Sequence, residues 1–552
     1  MNTLDRRTFL AGSAALSLAA ACRAPAGETD CDLLVCGGTV LDGSGGAPYV
    51  ADVGLRAGRI AFVGPGNPRR ARRTLDAHGL CVSPGFVDIH THSDRTIFEW
   101  PLAESRIRQG CTTEITGNCG SSAAPRAAAE DADEGVRVRW SDVNSYARAW
   151  HTQAAALNHA LLAGHGTLRR GVVGDVDRPA RLEERAEIAR RFELALEQGA
   201  WGLSSGLEYV PGLYTPQEEL EELVRIAGAR GVLYATHMRS EEAELLEAID
   251  EALDTARGGN ARLQVSHLKA AGRNNWHLQD RALTRIEQAR AEGLDVMVDA
   301  YPYTAYSTTL SILLESWSRE GGSDAILSRL ADAATRERIL REVGPRVATE
   351  LGGFELVVIS SVGDPAAQEC VGRSLAELAQ AWGIAPEEAF VRVLERGRAD
   401  VGYVGHGMSE ENVARVLAHP LVMIGSDGRS MAPTGSAVND RPHPRSYGTF
   451  PRVLGRYCRE LGILDLPTAI AKMTSMPAER VGLRDRGRLA TGFAADLVLF
   501  NAARVADRAT FEEPQRYPEG IEHVYVNGVP VVQDGTVTSA RPGRMLRRES
   551  SG

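Results

Sequence analysis

The sequence predicts an α/β fold: a TIM-like (β/α)8 barrel carrying a small β-sandwich built from both chain ends. Three observations predict it. Between residues 83 and 480, short β-runs alternate with helical patterns, as parallel α/β folds do. Closely spaced, glycine-separated β-patterns occur at both ends of the 552-residue chain, and neither set is long enough to stand alone. Histidine, cysteine and aspartate groups close several β-runs, and such barrels keep their chemistry at the C-terminal strand ends.

Residues 1–30 read as an export segment and linker. Arg6-Arg7 precedes a small and apolar run through Ala21, the pattern of a twin-arginine signal, and Ala19-Ala20-Ala21-Cys22 resembles a bacterial lipobox. The protein is therefore expected in a bacterial periplasm, or held at the membrane as a lipoprotein through Cys22; a cytosolic helix that happens to begin with Arg-Arg is the less favoured alternative. Residues 31–82 hold the first β-patterns, among them Leu33-Leu34-Val35-Cys36 and Ile60-Ala61-Phe62-Val63. Residues 481–552 hold the matching set, at 495–500 and 523–528, and a tail. The two sets are expected to pair into one β-domain, with the barrel at 83–480 inserted between them. Inside the barrel, helices are predicted over 179–198, 216–227, 241–257 and 281–292, the fourth strand near 201–205 and the last at 421–424. A polar, helix-prone stretch at 309–353 breaks the rhythm and reads as an active-site lid rather than a disordered linker.

Composition narrows the function classes. A hydrophobic content of 43% and a charged content of 24% describe an ordinary soluble protein. A net charge of −10 argues against nucleic acid as a partner, leaving a small molecule as the expected one. No stretch of the body approaches the ~18 apolar residues that a membrane span needs. Eight cysteines in this length make no disulfide scaffold, and most sit in apolar surroundings, whereas Cys119 is flanked by Asn118 and Gly120.

His90 and His92 end the apolar run 82–89. Residues two apart on a strand face the same way, so the pair can hold one metal ion; a lone His-Thr-His fits a surface pair equally well. Its followers decide: Cys119 in Gly-Asn-Cys-Gly, His237, His267 and, last, Asp427 in Gly-Ser-Asp-Gly. Zinc accepts imidazole, thiolate and carboxylate, and a catalytic site keeps one position open. Cys119, His237 and His267 supply three ligands, while His90 and His92 can hold a second ion with Cys119 between the two. Asp427 is placed to move a proton from attacking water to a leaving amine. The pattern reads as a metal-dependent hydrolase. The chain has only two lysines, Lys269 and Lys472, and neither falls on the expected fourth strand. A thiolate bridge from Cys119 is thus expected where many barrel hydrolases use a carbamylated lysine. Lys269, two residues after His267, faces the same side and can meet a substrate carboxylate or carbonyl; a chance strand-end lysine is the bland alternative.

These motifs, with Gly164-His165-Gly166-Thr167-Leu168-Arg169, Gly202-Leu203-Ser204-Ser205-Gly206-Leu207, Asp299-Ala300-Tyr301-Pro302-Tyr303 and His443-Pro444-Arg445, resemble the D-aminoacylase (N-acyl-D-amino-acid deacylase) family, a branch of the amidohydrolase superfamily. The resemblance runs from Leu33 to about Val531. It implies zinc-dependent hydrolysis of the amide bond of N-acyl-D-amino acids to a carboxylate and a free D-amino acid. It also implies a tight zinc on Cys119, His237 and His267, a weaker second divalent position at His90 and His92, and Asp427 as catalytic acid/base. Lys269, Tyr301, Ser307 and Arg445 match residues that hold the substrate's carboxylate. One departure is Leu268, where a member of that family has a second histidine; it is expected to face away from the metal.

Two other readings compete. A related amidohydrolase acting on a cyclic amide or a dipeptide keeps the fold; Arg445 weighs against a cyclic amide, because a free α-carboxylate calls for a bidentate guanidinium. An exported lipoprotein that only binds metal or ligand is the third, and the full ligand set with Asp427 argues against it.

Overall fold

The computed structural model describes residues 30–65, 70–126 and 140–549; the segment carrying Arg6, Arg7 and Cys22 lies outside the described residues. Eight parallel strands form the barrel: Phe86–Asp88, Cys111–Thr116, Asn158–Leu161 continued by Ala163–Gly164, Gly202–Gly206, Leu233–His237, Arg262–Val265, Val296–Ala300 and Val422–Ile424. The ladders between them are parallel. The ring closes where Thr91 bridges Gly428, with the Asp427 N–H donating to His90 O at 2.8 Å. The closure itself therefore sets the Asp427 loop beside the histidine pair.

The strands are buried on both faces because both are covered. Val87, Ile115, Ala160, Leu162, Leu233, Ala235 and Met423 fill the barrel interior. Their alternates, such as Leu161, Tyr234, Leu263 and Val265, pack outward in one core with helical residues including Leu223, Ile249 and Ile286. Each fully buried aliphatic side chain stabilises the fold by about 1.5–3 kcal/mol relative to exposure. Helices Leu182–Glu197, Gln217–Ala229, Leu245–Gly259 and Gln279–Ala291 follow the third to sixth strands.

Both chain ends meet in one nine-stranded sheet, joined where Leu497–Phe500 runs antiparallel to Cys81–Pro84. Its separate core gathers Leu33, Val35, Val53, Leu55, Leu497 and Leu499. The tail strand Met545–Leu546 then pairs with the start of the third barrel strand.

The segment between the seventh and eighth barrel strands is longer than the 309–353 stretch expected. An antiparallel sheet of Tyr306–Thr309, Val401–Gly405 and Val357–Val362, in that order, carries the helices Gly322–Ala331, Ala333–Glu350, Leu375–Trp382 and Pro386–Arg396. It has a core of its own, including Ile339, Val343, Val357 and Phe390. Strands this short and this far apart in sequence leave little periodic trace, whereas the helices at 322–350 do.

Candidate metal centre

A cavity of about 570 Å³ lies between this inserted segment and the C-terminal mouth of the barrel. His92, Cys119, His237, His267, Lys269, Tyr301, Ser307, Asp427 and Arg445 all line it, and His90 lies fully buried just behind.

The local backbone explains how these side chains converge. On the sixth strand Leu263 and Val265 face the helices, so strict alternation would send His267 outward too. His267 instead adopts φ 35°, which turns its ring inward. Cys119 and Asp427 also have positive φ, both 52°. Non-glycine residues in this region cost on the order of 1–3 kcal/mol each and persist only where the surroundings impose them. Around Cys119 the imposing contact is Gly206, where a Cβ would lie 2.1 Å from the Cys119 carbonyl oxygen. His90 and His92 sit just past the end of the first strand, their ring centroids 5.5 Å apart.

Three donor groups overlap. His90, His92 and Cys119 form one, Cys119, His237 and His267 a second, and His90, His267 and Asp427 a third, the ligand atoms of each within 4.8 Å of one another. The Cys119 Sγ lies 3.3 Å from His90 Nε2 and 3.5 Å from His267 Nε2, and His237 Nδ1 lies 2.9 Å from His267 Nε2. Each inward ring nitrogen is backed by a carboxylate on the other: Glu208 on His237 at 2.8 Å, Glu241 on His267 at 2.8 Å, and Asp299 on His90 at 3.1 Å. Carboxylates in this position fix ring orientation and raise imidazole basicity toward a metal. Burial would raise the Cys119 thiol, but His90, His237 and His267 together hold it well below its usual range. A thiolate among oriented imidazoles is a donor set that fits zinc.

Asp427 bridges the two halves of the site. Its Oδ1 lies 3.0 Å from His92 Nε2 and its Oδ2 2.8 Å from Arg445 Nη1. Burial would raise this carboxyl, but Arg445 and the imidazoles hold it well below the usual range. Arg445 also donates to Ser307 O at 3.0 Å and lies 5.0 Å from the Tyr301 ring. Lys269, which also faces the cavity, pairs with Glu241 and donates to His267 O at 3.1 Å. Its ammonium is therefore already matched, and a substrate group would share it with Glu241. Leu268 packs into the main core, away from the cavity mouth. His165 is fully buried and its ring nitrogens find no hydrogen-bond partner among the described residues. Asp88 accepts the His90 and Ser426 backbone N–H groups at 3.2 and 2.9 Å.

Sequence reasoning did not single out Glu208, Glu241 or Asp299. Asp299 stands in the Asp-Ala-Tyr-Pro-Tyr motif, which offered a signal; Glu208 and Glu241 read as ordinary loop or helix-start carboxylates. The sequence marks His443 only as part of the His-Pro-Arg motif. Its Nε2 donates to Ala305 O at 2.8 Å while its Nδ1 accepts from Arg445 N–H at 3.0 Å, fixing one neutral tautomer against the Arg445 backbone.

The chain is similar to known proteins in sequence and in fold. The sequence model described as "Amidohydrolase family" matches residues 73–532. N-acyl-D-glutamate deacylase of Alcaligenes xylosoxydans xylosoxydans is 39% identical over 527 residues, 94% of this chain and 97% of that protein. The crystal structure of N-acyl-D-glutamate deacylase from Bordetella bronchiseptica, complexed with zinc and a phosphonate mimic of the tetrahedral intermediate, superposes with TM-score 0.80 at 34% identity, covering 94% of this chain and 99% of that one. A structure of D-aminoacylase, described as concerning the functional role of its binuclear metal centre, with one-metal activation and second-metal attenuation, gives TM-score 0.80 at 38% identity, covering 94% of this chain and 100% of that one.

Proposed function

The chain belongs to the amidohydrolase family, and from that premise we propose that it is a zinc-dependent deacylase of N-acyl-D-amino acids, releasing a carboxylate and a free D-amino acid. One observation carries the reading: a Cys119–His237–His267 donor set and the Asp427–Arg445 pair line a single cavity. A metal with open coordination beside a carboxylate is what amide hydrolysis needs, and a guanidinium is what a free α-carboxylate needs.

Cys119, His237 and His267 would hold the tight zinc, and His90 and His92 a weaker second ion. When bound, zinc supplies a Lewis acid that polarises the acyl carbonyl and acidifies water. The protein's own groups do the rest. Asp427, ionised and oriented by His92 and Arg445, takes a proton on its carboxylate from the attacking water and delivers it to the leaving nitrogen. Arg445 meets the substrate carboxylate with the N–H groups that its pairing with Asp427 and Ser307 O leaves, with Ser307, Tyr301 and Lys269 along the same wall. With carboxylate and acyl group both fixed, hydrogen and side chain on the α-carbon can be placed in only one way, so one enantiomer is accepted. The D-specific names of the relatives favour D.

The inserted segment from Tyr306 to Gly405 forms the outer wall of the cavity and acts as its lid. Export through Arg6-Arg7, with lipid on Cys22, completes the proposal; replacing both arginines by lysine is expected to strand the protein in the cytoplasm, and unchanged export would refute that route. The activity is tested by assaying purified protein against paired N-acetyl-D- and N-acetyl-L-amino acids with zinc content measured. Turnover of D forms only is expected; equal turnover of both would overturn the clamp.

A further inference from the structure

Behind the cavity, on the outer side of the first, second and eighth strands, lies a fully buried guanidinium. Arg106 pairs with Asp88, donates through Nε to Glu114 Oε1 at 2.7 Å, through Nη2 to Ser426 Oγ at 2.9 Å, and through Nη1 to Ser446 O at 3.2 Å. None of these partners lines the metal site as a donor. Asp88, Ser426 and Ser446, however, are close neighbours of His90, Asp427 and Arg445.

Asp88 receives the His90 N–H at 3.2 Å and the Ser426 N–H at 2.9 Å, so it ties the histidine pair to the loop after the eighth strand. Ser426 precedes Asp427 and its Oγ receives the Gly428 N–H at 3.0 Å, which closes that loop on itself. Ser446 follows Arg445 on the helix Arg445–Arg452, and its carbonyl is also held by Gln109 Nε2 at 2.8 Å. Glu114 stands on the second strand and also receives Ser430 Oγ at 3.4 Å. One planar group thus joins the His90–His92 turn, the Asp427 loop and the Arg445 helix. Lysine cannot replace it in kind, because an ammonium is a point donor and these acceptors lie in the directions of a fork. The tight donor set of Cys119, His237 and His267 makes no contact with it.

We infer that Arg106 is a positioning residue: it holds Asp427 and Arg445 in register with His90 and His92, and so sets the geometry of proton transfer and carboxylate capture without touching substrate. The inference rests on the deacylase reading for its kinetic consequence, and on the ligand assignment alone for its metal consequence.

Two variants test it. Arg106→Lys keeps the charge and loses the fork; Ser426→Ala removes a single hydroxyl and folds even if the first does not. For each, zinc stoichiometry, affinity for a second equivalent of zinc by titration calorimetry, melting temperature, and kcat and KM per zinc-loaded molecule are measured. Arg106→Lys is expected to keep one tight zinc, to bind the second about tenfold more weakly, and to lose about 100-fold in kcat, the scale set by an ångström of misplacement. Ser426→Ala is expected to show a smaller loss in kcat, roughly tenfold, with little change in melting temperature. A lowered melting temperature with kcat and second-zinc affinity both unchanged in the zinc-loaded variants would reduce Arg106 to a structural part and overturn the inference. If Arg106→Lys does not fold, Ser426→Ala decides on the same criteria. If the wild type hydrolyses no N-acyl-D-amino acid, the deacylase reading fails on its own, and the second-zinc affinity still decides for or against Arg106.

Discussion

Replacing Gly206 by alanine should disable the metal centre without replacing any ligand. Gly206 ends the fourth barrel strand, and its added Cβ would lie 2.1 Å from the Cys119 carbonyl oxygen, 2.7 Å from the Cys119 carbonyl carbon and 3.0 Å from Tyr209 Cδ2. Real Cβ contacts essentially never fall under 3.0 Å, so the strand and the Cys119 loop must part by about 0.9 Å, the gap between 2.1 and 3.0 Å. The loop has little slack, since Cys119 is already at φ 52° and Gly120 is packed against Gly206 N, where a Cβ would stand at 2.7 Å. Overpacking of this size costs roughly 1–3 kcal/mol in stability, and an ångström of displacement at a reacting centre costs about 100-fold in rate. The assays are zinc release to a colorimetric chelator, kcat/KM on an N-acetyl-D-amino acid, and thermal unfolding. Weaker zinc retention together with an activity loss near 100-fold is expected. Gly64→Ala, whose Cβ meets nothing within 4 Å, is the matched control and should change neither. Wild-type zinc retention and activity in Gly206→Ala would refute the claim that this close approach sets the Cys119 thiolate.

Other perturbations separate the parts of the site. Arg445→Lys keeps a cation but loses the fork that reaches Asp427 and Ser307 O, and should cost about 1.5–3 kcal/mol, roughly 10- to 150-fold in kcat/KM, with weaker discrimination between enantiomers; unchanged enantioselectivity would argue against the clamp. Glu241→Gln removes the carboxylate shared by His267 and Lys269, so zinc affinity should fall about 10- to 100-fold, as measured by chelator competition, and the protein should melt earlier because the Lys269 ammonium is left buried and unmatched. Zinc affinity equal to that of the wild type would show that His267 needs no such orienter.

Much of this architecture was legible in the sequence because barrels announce themselves periodically. The helices after the third to sixth strands lie within a few residues of their hydrophobic repeats, and a short β-run falls between each pair. The candidate ligands were legible because His, Cys and Asp at strand ends are rare and chemically specific. What escaped has physical reasons. The antiparallel sheet of the inserted segment is assembled from strands near 306, 357 and 401, a pairing no local pattern encodes. The inward turn of His267 rests on one positive φ, which residue identity does not reveal. Glu208, Glu241 and Arg106 are common residue types whose roles come only from what the fold places beside them.

The proposed catalytic unit is a tight zinc and Asp427 in one cavity, acting on the amide of an N-acyl-D-amino acid. Asp427→Asn tests it most directly, measured beside the wild type for zinc per chain and for turnover of matched N-acetyl-D- and N-acetyl-L-amino acids. The variant is expected to keep its tight zinc, since Cys119, His237 and His267 are untouched, while D-substrate turnover falls by about 10²- to 10⁴-fold, the range for loss of a positioned acid/base. Retained turnover with zinc in place would contradict it.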